Sequence, residues 1–457
     1  MHLIRQPRTL LVLTTVAAVV LAVLAVGMSG SSGIDAARDA ATGARGTPSV
    51  AAPPLPQSGQ LGIEEQVTFW RARVDRAADD YLSRTQLAAA LLRQAKARHD
   101  LGAALDARTE LERSLDVNPD HGPARALLAA SYAMFHEFAR ARDIALAAYA
   151  EDPTNLVALA TAGDAAFELG DLEDADRLYV ELAGRAGAGP AVDARRARLA
   201  SARGDHATAV SYARAAQRAA GGATPSERAY YALLVGELHR SAGELTDAAH
   251  ALADALRADP ESGAAIESLA KVRAAQGRLA AADTLWRRSG ALIGAPDFHV
   301  LAARGDIAEA RGDLALARQR WDDALAAAAA LPREEQAGLA RDLALFRADH
   351  GIGTAEAVRL ARADLERRQD PLAFATLGWA LAADGDDRAA LEHLDRAREG
   401  GVSDAGFAYR MAVVYERVGR DDVALDVLRP ALATNPRFDL RAADAAAALL
   451  AALEGRR

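Results

Sequence analysis

FELGDLEDA, residues 167–175, decides how this chain is read. Glycine stands fourth and alanine ninth, and the pattern returns as SARGDHATA (201–209), RSAGELTDA (240–248), AAQGRLAAA (274–282), EARGDLALA (309–317), AADGDDRAA (382–390) and ERVGRDDVA (416–424). A helix-forming run that stops at glycine and restarts just beyond it predicts two helices joined by a tight turn. Glycine enters the left-handed conformation such a turn requires without steric penalty.

Aligning the turn glycines gives Gly102, Gly170, Gly204, Gly243, Gly277, Gly312, Gly351, Gly385 and Gly419. His136 fills the gap after Gly102, and histidine tolerates positive φ better than most residues. The spacings are 34, 34, 34, 39, 34, 35, 39, 34 and 34 residues. Five residues after almost every ladder position comes an alanine, from Ala107 to Ala424, small enough to let the two helices approach closely. Pro119, Pro153, Pro260 and Pro436 lie seventeen residues after a ladder position and end the second helix. The 39-residue gaps coincide with GGATPSE (221–227) and LPREEQAG (331–338), read as loops inserted between units. Beyond Gly351 the alanine slips by one.

A 34-residue unit with a turn glycine, a small residue and a closing proline resembles the tetratricopeptide repeat, over about residues 88–437. LALFRADHG (343–351) is also similar to a segment of bacterial tetratricopeptide proteins. The resemblance implies an all-α, right-handed α-solenoid of about ten helix-turn-helix units. IEEQVTFWRARVDRAADDYL (63–82) supplies a leading helix and RFDLRAADAAAALLAALEG (437–455) a closing one, since terminal repeats need caps. Composition agrees: hydrophobic residues make up 51% but aromatics only 5%, so the apolar content is mainly helix-forming Ala and Leu.

In the family the repeat resembles, first helices line a concave groove, at positions ten, six and three before each ladder residue. Here those positions offer Lys96, Asp164, Phe167, Arg198, Glu237, Arg240, Glu267, Lys271, Asp306, Glu309, Trp379, Tyr409 and Glu416 as partner-binding candidates. The lysine-plus-asparagine pairing by which chaperone-binding relatives clamp a terminal carboxylate is absent, which disfavours a cochaperone.

The stretch TLLVLTTVAAVVLAVLAVGM (9–28) is twenty residues without a charge, long enough to cross a bilayer. Arg5 and Arg8 predict that residues 1–8 stay cytoplasmic and that the body is exported. A cleaved signal peptide is the other reading and exports the body as well. Residues 29–61, rich in Ser, Gly, Ala and Pro, form a linker, and 62–457 the repeat domain.

A formal charge of −9 lacks the basic footprint of a nucleic-acid binder. With only Lys96 and Lys271, a phosphate loop ending in Gly-Lys-Ser/Thr is impossible. There is no cysteine, so thiolate chemistry and thiolate metal sites are excluded. Ten scattered histidines show no His-Glu-x-x-His spacing, and no Gly-x-Ser-x-Gly occurs, so no catalytic residue, cofactor or metal is expected. The sequence thus predicts a noncatalytic, envelope-located scaffold for a protein or extended peptide. Asp306, Glu309 and Glu267 would favour a basic segment in the partner. Two alternatives stay open: an envelope-polymer hydrolase using separated carboxylates, and a self-assembling structural protein.

Overall fold

The computed structural model describes residues 62–98, 101–401 and 404–456. The N-terminus 1–8, the span 9–28 and the linker 29–61 lie outside the described residues. Among these residues there are helices and turns but no strand, and no helix is long and apolar enough to cross a membrane.

Among the described residues the helices follow one another as ten helix-turn-helix units. The first pairs Tyr81–Arg98 with Leu101–Val117, the fifth pairs Pro225–Ser241 with Leu245–Ala258, and the last pairs Ala405–Arg417 with Asp421–Thr434. At eight ladder glycines, from Gly170 to Gly419, φ lies between 63° and 95°, and His136 takes the same conformation at 61°. The turn at Gly243 shows why. Its N–H donates to Arg240 O at 3.1 Å, and the next N–H, from Glu244, reaches back to His239 O at 2.9 Å. These two bonds satisfy carbonyls that the helix end would otherwise leave without partners.

The alanines behave as their spacing predicts: Ala107, Ala141, Ala175, Ala209, Ala248, Ala282, Ala317, Ala390 and Ala424 are fully buried. In three units the partner at closest approach is a glycine seven residues before the ladder position. A Cβ at Gly236 would lie 3.4 Å from Ala248 O, at Gly305 3.2 Å from Ala317 O, and at Gly378 3.1 Å from Ala390 O. Small residues on both helices set the pair spacing.

Several sequence expectations are corrected. Gly102 is the second residue of Leu101–Val117 rather than a turn residue, so the second helix of that unit begins earlier relative to its glycine than elsewhere. The leading segment is not one helix: Ile63–Arg76 ends at Ala77, and a new helix starts at Tyr81, where Asp80 Oδ1 accepts the Ser83 N–H at 3.0 Å. LPREEQAG is not a loop, since Arg333–Gly338 forms a short helix. The slip after Gly351 comes from Gly353, a second left-handed residue that delays the next helix to Thr354. The closing helix is Ala443–Gly455, with Leu453 and Ala446 fully buried, and residues 437–442 before it are irregular. Asp439 Oδ1 accepts the N–H groups of Arg441 and Ala442, both at 2.8 Å, which fixes that irregular turn.

The chain divides into two compact units. Among the described residues one comprises 62–165 with 180–187, the other 166–179 and 188–456. In the second unit an apolar core runs through successive pairs from Phe298 to Leu453.

Candidate functional site

First helices of successive repeats in the second unit carry most of the candidate residues. The non-helical segment Asn435-Pro436-Arg437-Phe438-Asp439-Leu440-Arg441 of the same chain lies against them. A cleft there is lined by Arg240, Lys271, Asn435, Phe438 and Asp439, among others. Asn435 Nδ2 donates to Arg240 O at 3.1 Å, Arg441 pairs with Glu309, and the Arg441 guanidinium sits 5.6 Å above the Trp321 ring. The basic group that meets Glu309 is therefore Arg441 of this chain.

Beneath the segment the candidates satisfy one another. Glu237 and Arg240 form a buried ion pair at 2.9 Å, three residues apart on one helix. Burial pushes the Glu237 carboxyl up, but the Arg240 guanidinium, with Lys271 beside it, outweighs it and holds the group below the usual carboxylate range. Ser289 Oγ donates to Glu267 Oε1 at 3.0 Å. Asp306, fully buried, accepts from Trp321 Nε1 at 3.1 Å and meets His350 Nε2 at 3.2 Å. His350 donates its Nδ1–H to Phe346 O at 2.8 Å, and burial pushes the imidazole well below its ordinary range.

The remaining candidates are spread out. Phe167 lies 4.3 Å beneath the Arg198 guanidinium, which also pairs with Glu168. Trp379 donates from Nε1 to Asp349 Oδ1 at 2.7 Å, and Asp349 is held from its other side by Arg410 at 2.8 Å. Tyr409 packs 6.3 Å from Phe438, and Glu416 pairs with Arg456 at 2.7 Å. Asp164 is buried in the first unit. The side chain of Lys96 lies outside the described residues. The structure thus gathers Glu237, Arg240, Glu267, Lys271, Asp306 and Glu309 on consecutive first helices beneath residues 435–441, with Trp379, Tyr409 and Glu416 further along the chain. Only Glu309, Trp379, Tyr409 and Glu416 among the described candidates keep partial exposure.

Two features escaped the sequence reading. Arg341 bridges Asp364 at 2.8 Å and Asp370 at 2.7 Å, with Arg368 also on Asp364 at 2.8 Å, all four buried. Residues of this type also read as surface charges, and nothing in their spacing marks them as interior. The second is a cluster of two histidines and a carboxylate: His206 Nε2 and His239 Nδ1 both meet Glu244 Oε2, at 2.9 and 2.5 Å. The sequence had suggested no grouping of metal-ligating residues, because the three belong to different helices.

The 34-residue period, the helix pairs and the buried alanine five residues past nine of the ten ladder positions together define the architecture. This chain has the tetratricopeptide-repeat fold. No family model matches it and no curated protein does. Among solved structures, the tetratricopeptide-like array is similar to PilW, a type IV pilus biogenesis factor, at 19% identity over 48% of this chain and 98% of that one, with a TM-score of 0.40. It is similar to a tetratricopeptide repeat protein from Parabacteroides merdae at 16% identity over 57% of this chain and 97% of that one, with a TM-score of 0.34. It is also similar to YrrB, a tetratricopeptide protein with an unusual peptide-binding site, at 15% identity over 42% and 97% of the two chains, with a TM-score of 0.29.

Proposed function

We propose that this tetratricopeptide-like chain is a noncatalytic scaffold that holds a protein partner as an extended peptide across its first helices. The repeat domain would lie on the outer side of a membrane, tethered through residues 9–28, with an envelope complex as its setting. The observation that carries the binding reading is residues 435–441. A face that already holds a non-helical segment through a main-chain carbonyl, an ion pair and an aromatic ring has the chemistry to hold another. Repeat arrays use such extended surfaces for partners. The carboxylates at this face are engaged by Arg240, Arg441, Trp321 or Ser289, an arrangement suited to holding rather than to proton transfer.

The test uses a full chain in which residues 435–441 are replaced by a Gly-Ser linker of equal length. A labelled peptide of sequence NPRFDLR should bind it, and the same peptide with glutamate in place of its final arginine should bind at least about tenfold more weakly, the loss of one charge-assisted contact. Equal binding of both peptides, or of neither, overturns the reading. Membrane tethering is tested separately: the chain should resist carbonate extraction and its repeats should be cleaved by protease added outside intact inner membranes.

A further inference from the structure

His206, His239 and Glu244 converge at the ladder turns of two successive repeats. His206 opens the helix His206–Ala219, His239 sits in the last turn of Pro225–Ser241, and Glu244 is the N-cap residue of Leu245–Ala258. One donor atom from each lies within 4.8 Å of the others. We propose that these three residues bind a borderline divalent cation, such as zinc, with a fourth coordination position open to solvent.

Three observations point the same way. At the position two past the ladder residue, where His206 stands, five other units carry Phe138, Leu172, Leu245, Leu279 and Leu314, while Asp387 and Asp421 stand there in the last two, and only His206 brings an imidazole to it. At the position one past it, Asp205, Asp313 and Asp386 each cap their own helix, whereas Glu244 makes no cap and turns one oxygen to both histidines. His239 is fixed by burial, while His206 and Glu244 are partly exposed, which leaves one ligand pre-oriented and two able to adjust. Two imidazole nitrogens and one carboxylate oxygen form a donor set that borderline divalent ions favour.

A tetrahedral ion with bonds of about 2 Å needs donors roughly 3.3 Å apart. The present 2.9 and 2.5 Å contacts must therefore open slightly, by rotation of the two exposed side chains. Each histidine now gives a ring N–H to Glu244. On coordination that proton moves to the opposite ring nitrogen, so both imidazoles stay neutral. For His239 the opposite nitrogen is Nε2, which lies 3.4 Å from the Arg214 guanidinium. Arg214 is exposed and would swing into solvent. The ion would clip the starts or ends of three consecutive α-helices across one of the two 39-residue spacings, where residues 220–224 join His206–Ala219 to Pro225–Ser241.

The test takes tag-free, chelator-stripped full-length protein, titrated with zinc by calorimetry and with cobalt by visible absorption. One ion per chain is expected, with the ligand-field bands of low-coordinate cobalt. His206→Ala and His239→Ala should each weaken binding by at least about tenfold, and Glu244→Gln, which keeps the hydrogen bonds but not the charge, should weaken it as well. Arg214→Ala should bind equally or more tightly. Should the buried His239 variant fail to fold, the surface His206 variant decides. No heat and no cobalt spectrum with the wild type overturns the proposal, as does binding that survives His206→Ala.

Discussion

Asn435 donates its side-chain amide to the carbonyl of Arg240 at 3.1 Å, joining residues 195 positions apart. Nearby, Gly243 packs so closely on the same segment that a Cβ there would lie 2.8 Å from Thr434 O. Gly277 has nearly the same backbone, φ 73° against 75°, with nothing within 4 Å. Substituting alanine at either position incurs the left-handed penalty of about 1–2 kcal/mol. Only Gly243→Ala also collides with the segment, which should add about 1–3 kcal/mol as overpacking does. Urea unfolding of the two variants measures the difference, and equal losses would mean that the segment does not rest on this turn.

The Arg441–Glu309 pair makes a second prediction about the same contact. Arg441→Glu places two carboxylates together and should loosen residues 435–441, lowering stability by about 1 kcal/mol because both groups are partly exposed. Protease cleavage within the segment should accelerate. Adding Glu309→Arg restores opposite charges and should recover most of the protection. A double variant as labile as the single one would exclude the pair as the hold.

Buried and exposed arginines should differ sharply. Arg341→Ala removes the cation shared by Asp364 and Asp370 and leaves two carboxylates buried beside Arg368 alone, a loss of about 3–5 kcal/mol. Arg359 pairs with Glu356 on an exposed helix face, and its removal should change stability by less than about 1 kcal/mol. Chemical denaturation of both variants checks the contrast.

Acid should act through Glu237. A carboxyl held below its ordinary range contributes stability that is fully present above the unfolded-state value and is lost as pH falls through the lower folded-state value. The wild type should therefore lose stability below roughly pH 4.3. Glu237→Gln, less stable at neutral pH, should show a shallower decline across that window. Parallel pH profiles for the two proteins would show that Glu237 ionises alike in both states.

The repeat was legible because it rests on local rules. A turn glycine, an alanine five residues later and a proline seventeen later each answer a steric requirement inside one unit, and the structure places nearly all of them as expected. Gly236, Gly305 and Gly378 were equally periodic, seven residues before their turns, and that signal went unused. Gly102 misled because glycine also tolerates the first turn of a helix, where few contacts constrain it. What the inner surface faces was not legible. The stretch 437–442 has the composition of a helix start, and the local Asp439 turn together with contacts to residues some 130 to 200 positions earlier holds the segment irregular. Asp370 as a partner of Arg341, and the partners of His206, were hidden for a related reason, since they arise where one unit meets the next.

The tie between Asn435 and Arg240 also has a consequence in time. Arg240 leaves the ribosome long before the residues that will cover it, and at synthesis rates of about 5–20 residues per second the interval is roughly 10–40 s. Throughout that interval the nascent chain carries the first-helix surface uncovered, so the peptide partner proposed for this face would meet no internal competitor at translation and would have to displace residues 435–441 afterwards.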